Sequence, residues 1–124
     1  MKPPLRVYVV EDEALIAMEL IDRIQRMGYD ICGSATRGEQ ALLEVPELAP
    51  DVVLMDIRLA GEIDGIDTAA RLRQGSDVPV VFLTAHSDGA HMARASQVRP
   101  SGYLLKPFQE RELNAALMAV AAAR

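Results

Sequence analysis

Two kinds of apolar segment alternate along the chain. Short, nearly continuous runs of Val, Ile and Leu are typical of strands buried on both faces of a parallel sheet. Longer segments carry apolar residues three and four positions apart, as amphipathic helices do. This pattern predicts strands at 5–10, 31–35, 51–56, 78–84 and 103–105, and helices at about 17–27, 37–44, 66–74, 88–97 and 110–123.

The segment boundaries predict a single domain. Gly28 is expected to end the first helix and Pro46 the second, while the stretch 60–65 is a Gly-containing loop. Five strand–helix units without long linkers favour a doubly wound, parallel (βα)5 α/β sheet with right-handed crossovers. We therefore expect one domain over residues 1–124, with no output domain in this chain.

Acidic and other polar residues stand at the ends of the predicted strands. In open α/β proteins, ligands bind at this edge of the sheet. Glu11 and Asp12 follow the first strand, Asp56 ends the third, Thr84 ends the fourth and Lys106 follows the fifth. Two carboxylates roughly 5 Å apart repel by about 3 kcal/mol at an effective dielectric near 20, so a cation must offset them. Because oxygen ligands suit Mg²⁺ better than zinc, this edge predicts a magnesium site for phosphate chemistry.

Five fragments at these strand ends and loops resemble the receiver domain of bacterial two-component response regulators. They are residues 9–13, 54–59, 64–66, 82–85 and 102–108. The resemblance covers essentially the whole chain, in the family's order. It implies a flavodoxin-like sheet with strand order 2-1-3-4-5.

The resemblance also implies roles for the site residues. Asp56 would be the phosphoacceptor, taking a phosphoryl group from the phosphohistidine of a sensor histidine kinase or a histidine phosphotransfer protein. Mg²⁺ would be held by Glu11, Asp12, Asp56 and the backbone carbonyl of Arg58. Lys106 would pair with a phosphoryl oxygen.

A second set of implied roles concerns the switch. Thr84 would hydrogen-bond another phosphoryl oxygen, the rotamer of Tyr103 would follow Thr84, and the Lys106–Pro107 bond would be cis. The chain would then be a cytoplasmic signalling switch and not a conventional enzyme, assisting its own phosphotransfer and slow autodephosphorylation. It would relay the signal by conformational change or onward phosphotransfer, as a stand-alone regulator or as a module of a longer protein.

Structural explanations of the same residues stay open. Asp56 could cap the turn that follows it, although capping does not explain why a third acid joins Glu11 and Asp12. Those two acids also suit a helix N-terminus, a role compatible with metal binding. Ordinary surface or strand roles are open to Lys106, Thr84 and Tyr103.

Two other functional classes fit the sequence less well. Phosphatases with an aspartate nucleophile resemble an Asp-x-Asp pattern, whereas Ile57 and Arg58 follow Asp56 here. Flavodoxin-type proteins cradle a flavin phosphate in a Ser/Thr/Gly-rich loop, which residues 11–13 replace with three acids. A receiver takes up one phosphoryl group, a phosphatase turns over many, and a flavin protein is yellow.

Composition narrows the partners further. With 13 basic and 18 acidic residues, a net charge of −5 and no Trp, the chain lacks the basic stripe and stacking platforms of nucleic-acid binders. Its apolar runs are too short to span a membrane, and no signal peptide is visible. Cys32 has no partner for a disulfide and suits a small apolar filler, while His86 and His91 lack metal-ligand spacing.

The last helix carries two apolar stripes. One, formed by Leu113, Ala116, Leu117 and Val120, is predicted to pack on the sheet. One interpretation of the alanines on the opposite face is helix propensity alone. Alternatively, that face is a shallow docking surface for a second copy or a downstream protein. It comprises Ala115, Met118, Ala119 and Ala122.

Overall fold

The computed structural model describes residues 3–124. Within this range, five strands form one parallel sheet. The strand order is β2-β1-β3-β4-β5, so the predicted flavodoxin-like α/β topology is confirmed. The strands are β1 (Arg6–Val10), β2 (Asp30–Ala35), β3 (Val52–Asp56), β4 (Val80–Thr84) and β5 (Gly102–Leu105).

Helices cover both faces of the sheet. Val7 and Val9 of β1 belong to the cluster beneath the first and last helices, whereas Tyr8 and Val10 belong to the cluster beneath the other three. Strands buried on both faces explain the nearly continuous apolar runs in the sequence. The helices are α1 (Ala14–Arg26), α2 (Gly38–Leu48), α3 (Gly65–Arg73), α4 (Met92–Gln97) and α5 (Glu110–Ala123).

The prediction that Pro46 ends the second helix is wrong. α2 continues through Pro46 to Leu48 and ends where Ala49 adopts a left-handed conformation with φ of 47°. A proline removes its own N–H donor and crowds the carbonyl four residues earlier, but beyond Pro46 the helical bonding resumes, since Ala49 N donates to Val45 O at 2.9 Å. Arg6 of β1 also donates to the carbonyls of Leu48 and Ala49, at 2.8 and 2.9 Å, so tertiary contacts hold the last turn.

The predicted helix 88–97 is also only partly correct. Residues His86–His91 form a 3-10 segment, and the α-helical part, α4, is limited to Met92–Gln97. The Asp88 carboxylate accepts a hydrogen bond from Ala85 N at 2.7 Å and forms an ion pair with Arg58. These bonds hold the chain after β4 in the tighter turn.

The two stripes of α5 have different surroundings. Leu113, Leu117 and Val120 are buried against the sheet, which confirms the predicted packing face. On the opposite face Met118 is 57% exposed. Within residues 3–124, none of the helices combines the length and apolar character needed to cross a bilayer.

Candidate metal-binding site

Three carboxylates meet at the carboxyl edge of the sheet. Val10 of β1 pairs with Met55 of β3, so the residues that follow, Glu11 and Asp56, arrive at the same edge. One carboxylate oxygen from each of Glu11, Asp12 and Asp56 lies within 4.8 Å of the others. This set of hard oxygen donors fits Mg²⁺.

The ammonium group of Lys106 faces these acids. Lys106, which follows β5, donates from Nζ to Asp56 Oδ2 at 2.7 Å and to Glu11 Oε1 at 3.0 Å. Burial lowers the pKa of Lys106, but the hydrogen bonds and charges of the two carboxylates outweigh burial and raise that pKa above its ordinary value. Lys106 therefore stays charged, and its peptide bond to Pro107 is cis.

One positive charge does not balance three carboxylates. Burial, a hydrogen bond with Glu11 and the charge of Glu11 together raise the pKa of Asp12 above its ordinary value. Glu11 and Asp56 are only 1% and 7% exposed, so water screens their charges poorly. The surplus negative charge is what a bound divalent cation would neutralise.

Backbone groups orient the two buried carboxylates. Arg58 N donates to Asp56 Oδ1 at 3.0 Å, and Glu13 N donates to Glu11 Oε2 at 3.1 Å. In each carboxylate, one oxygen thus faces a main-chain N–H while the other faces Lys106. Both acids are held in one orientation before any ligand arrives.

Gly65 allows α3 to begin directly against this edge. Its N–H donates to Ile57 O at 2.8 Å, and a Cβ added at Gly65 would lie 1.9 Å from the carbonyl oxygen of Asp56. Because any larger residue would push the end of β3 away, a glycine is needed here. The glycine at the end of the predicted loop is therefore required by close packing against β3 as well as by the turn.

Thr84 and Tyr103 lie on the two strands beside the acidic site. Thr84 is buried at the end of β4, where its hydroxyl donates to Leu104 O at 3.4 Å and its carbonyl accepts from Lys106 N at 2.7 Å. Tyr103 of β5 stacks its ring on Phe82 with centroids 6.1 Å apart and is 39% exposed. Thr84 thus touches the segment that carries Lys106, and Tyr103 reaches the surface.

The family model for the response regulator receiver domain matches residues 7–118. The chain belongs to this family. Receiver domains are generally signalling phosphoacceptors of two-component systems and not classical enzymes, and membership implies a cognate histidine kinase as partner. The resemblance found in the sequence is confirmed.

Relatives and solved structures agree with this assignment. The transcriptional regulatory protein PdtaR of Mycobacterium tuberculosis is 40% identical over 111 residues, covering 89% of this chain and 53% of PdtaR. The DNA-binding response regulator MtrA of Mycobacterium leprae is 39% identical over 116 residues, covering 92% of this chain and 50% of MtrA. The receiver domain thus spans about half the length of these curated relatives.

A solved structure matches over nearly the whole length of both chains. The signal receiver domain of a modulated diguanylate cyclase from Desulfovibrio desulfuricans superposes with a TM-score of 0.88 at 39% identity. The alignment covers 96% of this receiver domain and 95% of that chain. The likeness therefore extends to the complete fold and not to the acidic edge alone.

Sequence reasoning missed a buried acid of this receiver domain. Asp88 is 2% exposed, and it accepts hydrogen bonds from Arg58 Nε at 2.5 Å and Ala85 N at 2.7 Å. Burial raises the pKa of Asp88, but these bonds outweigh burial and lower it below its ordinary value. The position of Asp88, three residues after Ala85, is a local signal that its carboxylate caps the N–H of Ala85. No local signal predicts that Arg58, 30 residues earlier in the chain, is its partner.

A second arginine bridge was also missed. Arg94 of α4 contacts Asp64 at 3.3 Å and Asp67 at 2.9 Å. At the start of α3, the backbone N–H of each of these two acids donates to the carboxylate of the other. Both bridges join the segments that follow β3 to those that follow β4. Only the Arg58 bridge belongs to a residue that also contacts the acidic site.

Proposed function

We propose that this receiver domain accepts a phosphoryl group on Asp56 from the phosphohistidine of a sensor histidine kinase or a histidine phosphotransfer protein. The observation that carries the proposal is the meeting of Asp56 with Glu11, Asp12 and Lys106 at the end of β3. A nucleophilic carboxylate, two further acids for a cation and one ammonium form a complete set for phosphoryl transfer.

The chemistry is a direct displacement at phosphorus. An Asp56 oxygen forms the new P–O bond while the P–N bond of phosphohistidine breaks, and the bonding pair stays on the imidazole nitrogen. Glu11, Asp12, Asp56 and the Arg58 carbonyl would hold Mg²⁺, which when bound supplies positive charge near the nucleophile and the transferred group. The Lys106 ammonium, already on Asp56, is the proposed partner of a phosphoryl oxygen.

The proposed relay starts from Thr84, whose hydroxyl would bond the phosphoryl group, and continues to Tyr103. Its support is that Thr84 contacts Leu104 on β5, the strand that also carries Tyr103, and Lys106 directly after that strand. The output would be a conformational change or onward phosphotransfer. Contact with a second copy or a downstream protein through the outward stripe of α5 stays a prediction, as does a cytoplasmic location. That stripe comprises Ala115, Met118, Ala119 and Ala122.

Intact-mass measurement with a small acyl phosphate donor and Mg²⁺ tests the proposal. We expect the protein to gain one phosphoryl group and Asp56→Asn to gain none. The matched control is Asp51→Asn at the opposite end of the sheet, which should be modified as fully as wild type. Modification of Asp56→Asn equal to wild type, or full modification in excess chelator, contradicts the proposal.

A further inference from the structure

An ion pair between the exposed side chain of Arg58 and the buried carboxylate of Asp88 joins the loops that follow β3 and β4. The guanidinium of Arg58 donates from Nε to Asp88 Oδ1 at 2.5 Å and from Nη2 to Ser87 O at 3.0 Å. The second oxygen of Asp88 accepts from Ala85 N at 2.7 Å, one residue beyond Thr84. Asp88 thus ties the first turn after β4 to a single residue of the loop after β3.

That residue is also part of the acidic site through its main chain. Arg58 N donates to Asp56 Oδ1 at 3.0 Å, and the Arg58 carbonyl belongs to the proposed set of Mg²⁺ ligands. The side chain of Arg58 is 59% exposed, so few other contacts restrain it. With its side chain anchored on a carboxylate that is 2% exposed, Arg58 has much less freedom to rotate its backbone.

We propose that Asp88 is a positioning residue for the metal site. Through its ion pair with Arg58 it fixes the main chain of residues 56–58 in the arrangement that binds Mg²⁺. The inference rests on the proposed function and extends it to a residue that does not itself touch the acidic site. Groups that orient metal ligands commonly change affinity by one to two orders of magnitude when they are replaced.

Charge makes this proposal separable from simple electrostatics. Asp88→Asn removes a negative charge near the site. If long-range electrostatics were the whole effect, the lost attraction would weaken Mg²⁺ binding. Arg58→Met removes a positive charge but keeps the main-chain carbonyl that is the proposed Mg²⁺ ligand. Electrostatics alone would therefore strengthen Mg²⁺ binding in this variant. If the ion pair positions the ligands, both variants bind Mg²⁺ more weakly, because each breaks the same contact.

The experiment is a Mg²⁺ titration of the ¹⁵N-labelled protein, followed by backbone amide chemical shifts. We expect affinity to fall about tenfold in Asp88→Asn and in Arg58→Met, and no further in the double variant, because both act on one contact. The control is Arg94→Met, which breaks the other arginine bridge and changes the net charge as Arg58→Met does. Its affinity should stay within about twofold of wild type.

The outcomes of the Mg²⁺ titration distinguish this inference from its alternatives. Opposite shifts in affinity for the two single variants, or affinities equal to wild type, overturn the inference while the proposed function stands. Equal weakening by Arg94→Met also overturns it, because general loosening would then explain the effect. No Mg²⁺ binding by wild type contradicts the proposed function and the inference with it. Should Asp88→Asn lose its folded spectrum, Arg58→Met still decides. Should Arg58→Met lose it, the double variant decides, because it leaves the net charge unchanged: weaker binding supports the inference and wild-type affinity overturns it.

Discussion

The two ends of the sheet use acidic residues in different ways. At the amino end, Asp51 precedes β3 and accepts from Arg6 N at 2.8 Å and from Arg124 Nη1 at 3.0 Å. At the carboxyl end, Lys106 faces both Glu11 and Asp56, with Asp12 beside them. The acid at the amino end is paired with a cation, whereas the site at the carboxyl end gathers three carboxylates around the ammonium of Lys106.

This difference separates a structural contact from a functional one. The Asp51 contacts tie β3 to β1 and to the end of the chain, so their expected effect is on stability. At the carboxyl edge, burial together with the hydrogen bond and charge of Glu11 raises the pKa of Asp12, so its charged form is disfavoured in the absence of a cation. Sites kept for a ligand commonly lower stability, and a cation would recover part of that loss.

The largest expected effect comes from removing Lys106, the cation that contacts both Glu11 and Asp56. Lys106→Met should lower the free energy of unfolding by about 3 kcal/mol at neutral pH, since it leaves two buried carboxylates without their partner. Urea unfolding monitored by circular dichroism measures this change. Mg²⁺ should restore part of the loss, because a bound cation stabilises the folded state.

The control for Lys106→Met is Arg111→Met on the exposed surface of α5, which removes the same charge and should change stability by less than about 0.5 kcal/mol. Equal stability of Lys106→Met and wild type would show that the carboxylates at this edge do not depend on the ammonium.

A smaller effect is expected at the amino end. Asp51→Ala should lower the free energy of unfolding by about 1–2 kcal/mol, because Arg6 N and Arg124 lose a charged acceptor. Asp51→Asn keeps an acceptor for Arg6 N and should lose less. In both variants the loss should be the same with and without Mg²⁺, and recovery of stability on adding Mg²⁺ would break the distinction between the two ends.

The smallest effect has the opposite sign. In metal-free buffer, Asp12→Asn should raise the free energy of unfolding by less than about 1 kcal/mol, because burial and Glu11 disfavour the Asp12 charge while solvent screens part of that cost. A raised pKa means that the native state holds the Asp12 proton more tightly than the unfolded chain, whose Asp titrates near pH 3.9. Stability is therefore lost as pH rises through the native pKa.

The gain in Asp12→Asn should accordingly be present at pH 7 and vanish below about pH 4, where the wild-type carboxyl is protonated. Thermal unfolding across this pH range, with excess chelator, measures it. Asp30→Asn, an exposed change at the start of β2, is the control and should show no such gain. A destabilised Asp12→Asn at pH 7 would mean that the Asp12 charge is already balanced without a metal.

The local sequence pattern determined the order of the strands and helices and the positions of the acidic residues at the strand ends. Apolar runs and three-to-four residue spacing are consequences of strand and helix geometry, so the order of elements and the inner stripe of α5 could be predicted. The position of each acid relative to a strand end is equally local. Because parallel strands bring their carboxyl ends to one edge, the strand pattern alone was enough to predict that Glu11, Asp12 and Asp56 lie together.

Only the tertiary structure decided how distant residues are paired. Lys106 lies 95 residues from Glu11 and 50 from Asp56 along the chain, and Arg58 lies 30 residues from Asp88. The continuation of α2 beyond Pro46 likewise depends on Arg6 of a neighbouring strand. Local preferences carry no information on such contacts, because their geometry exists only once the sheet and helices have packed and excluded water.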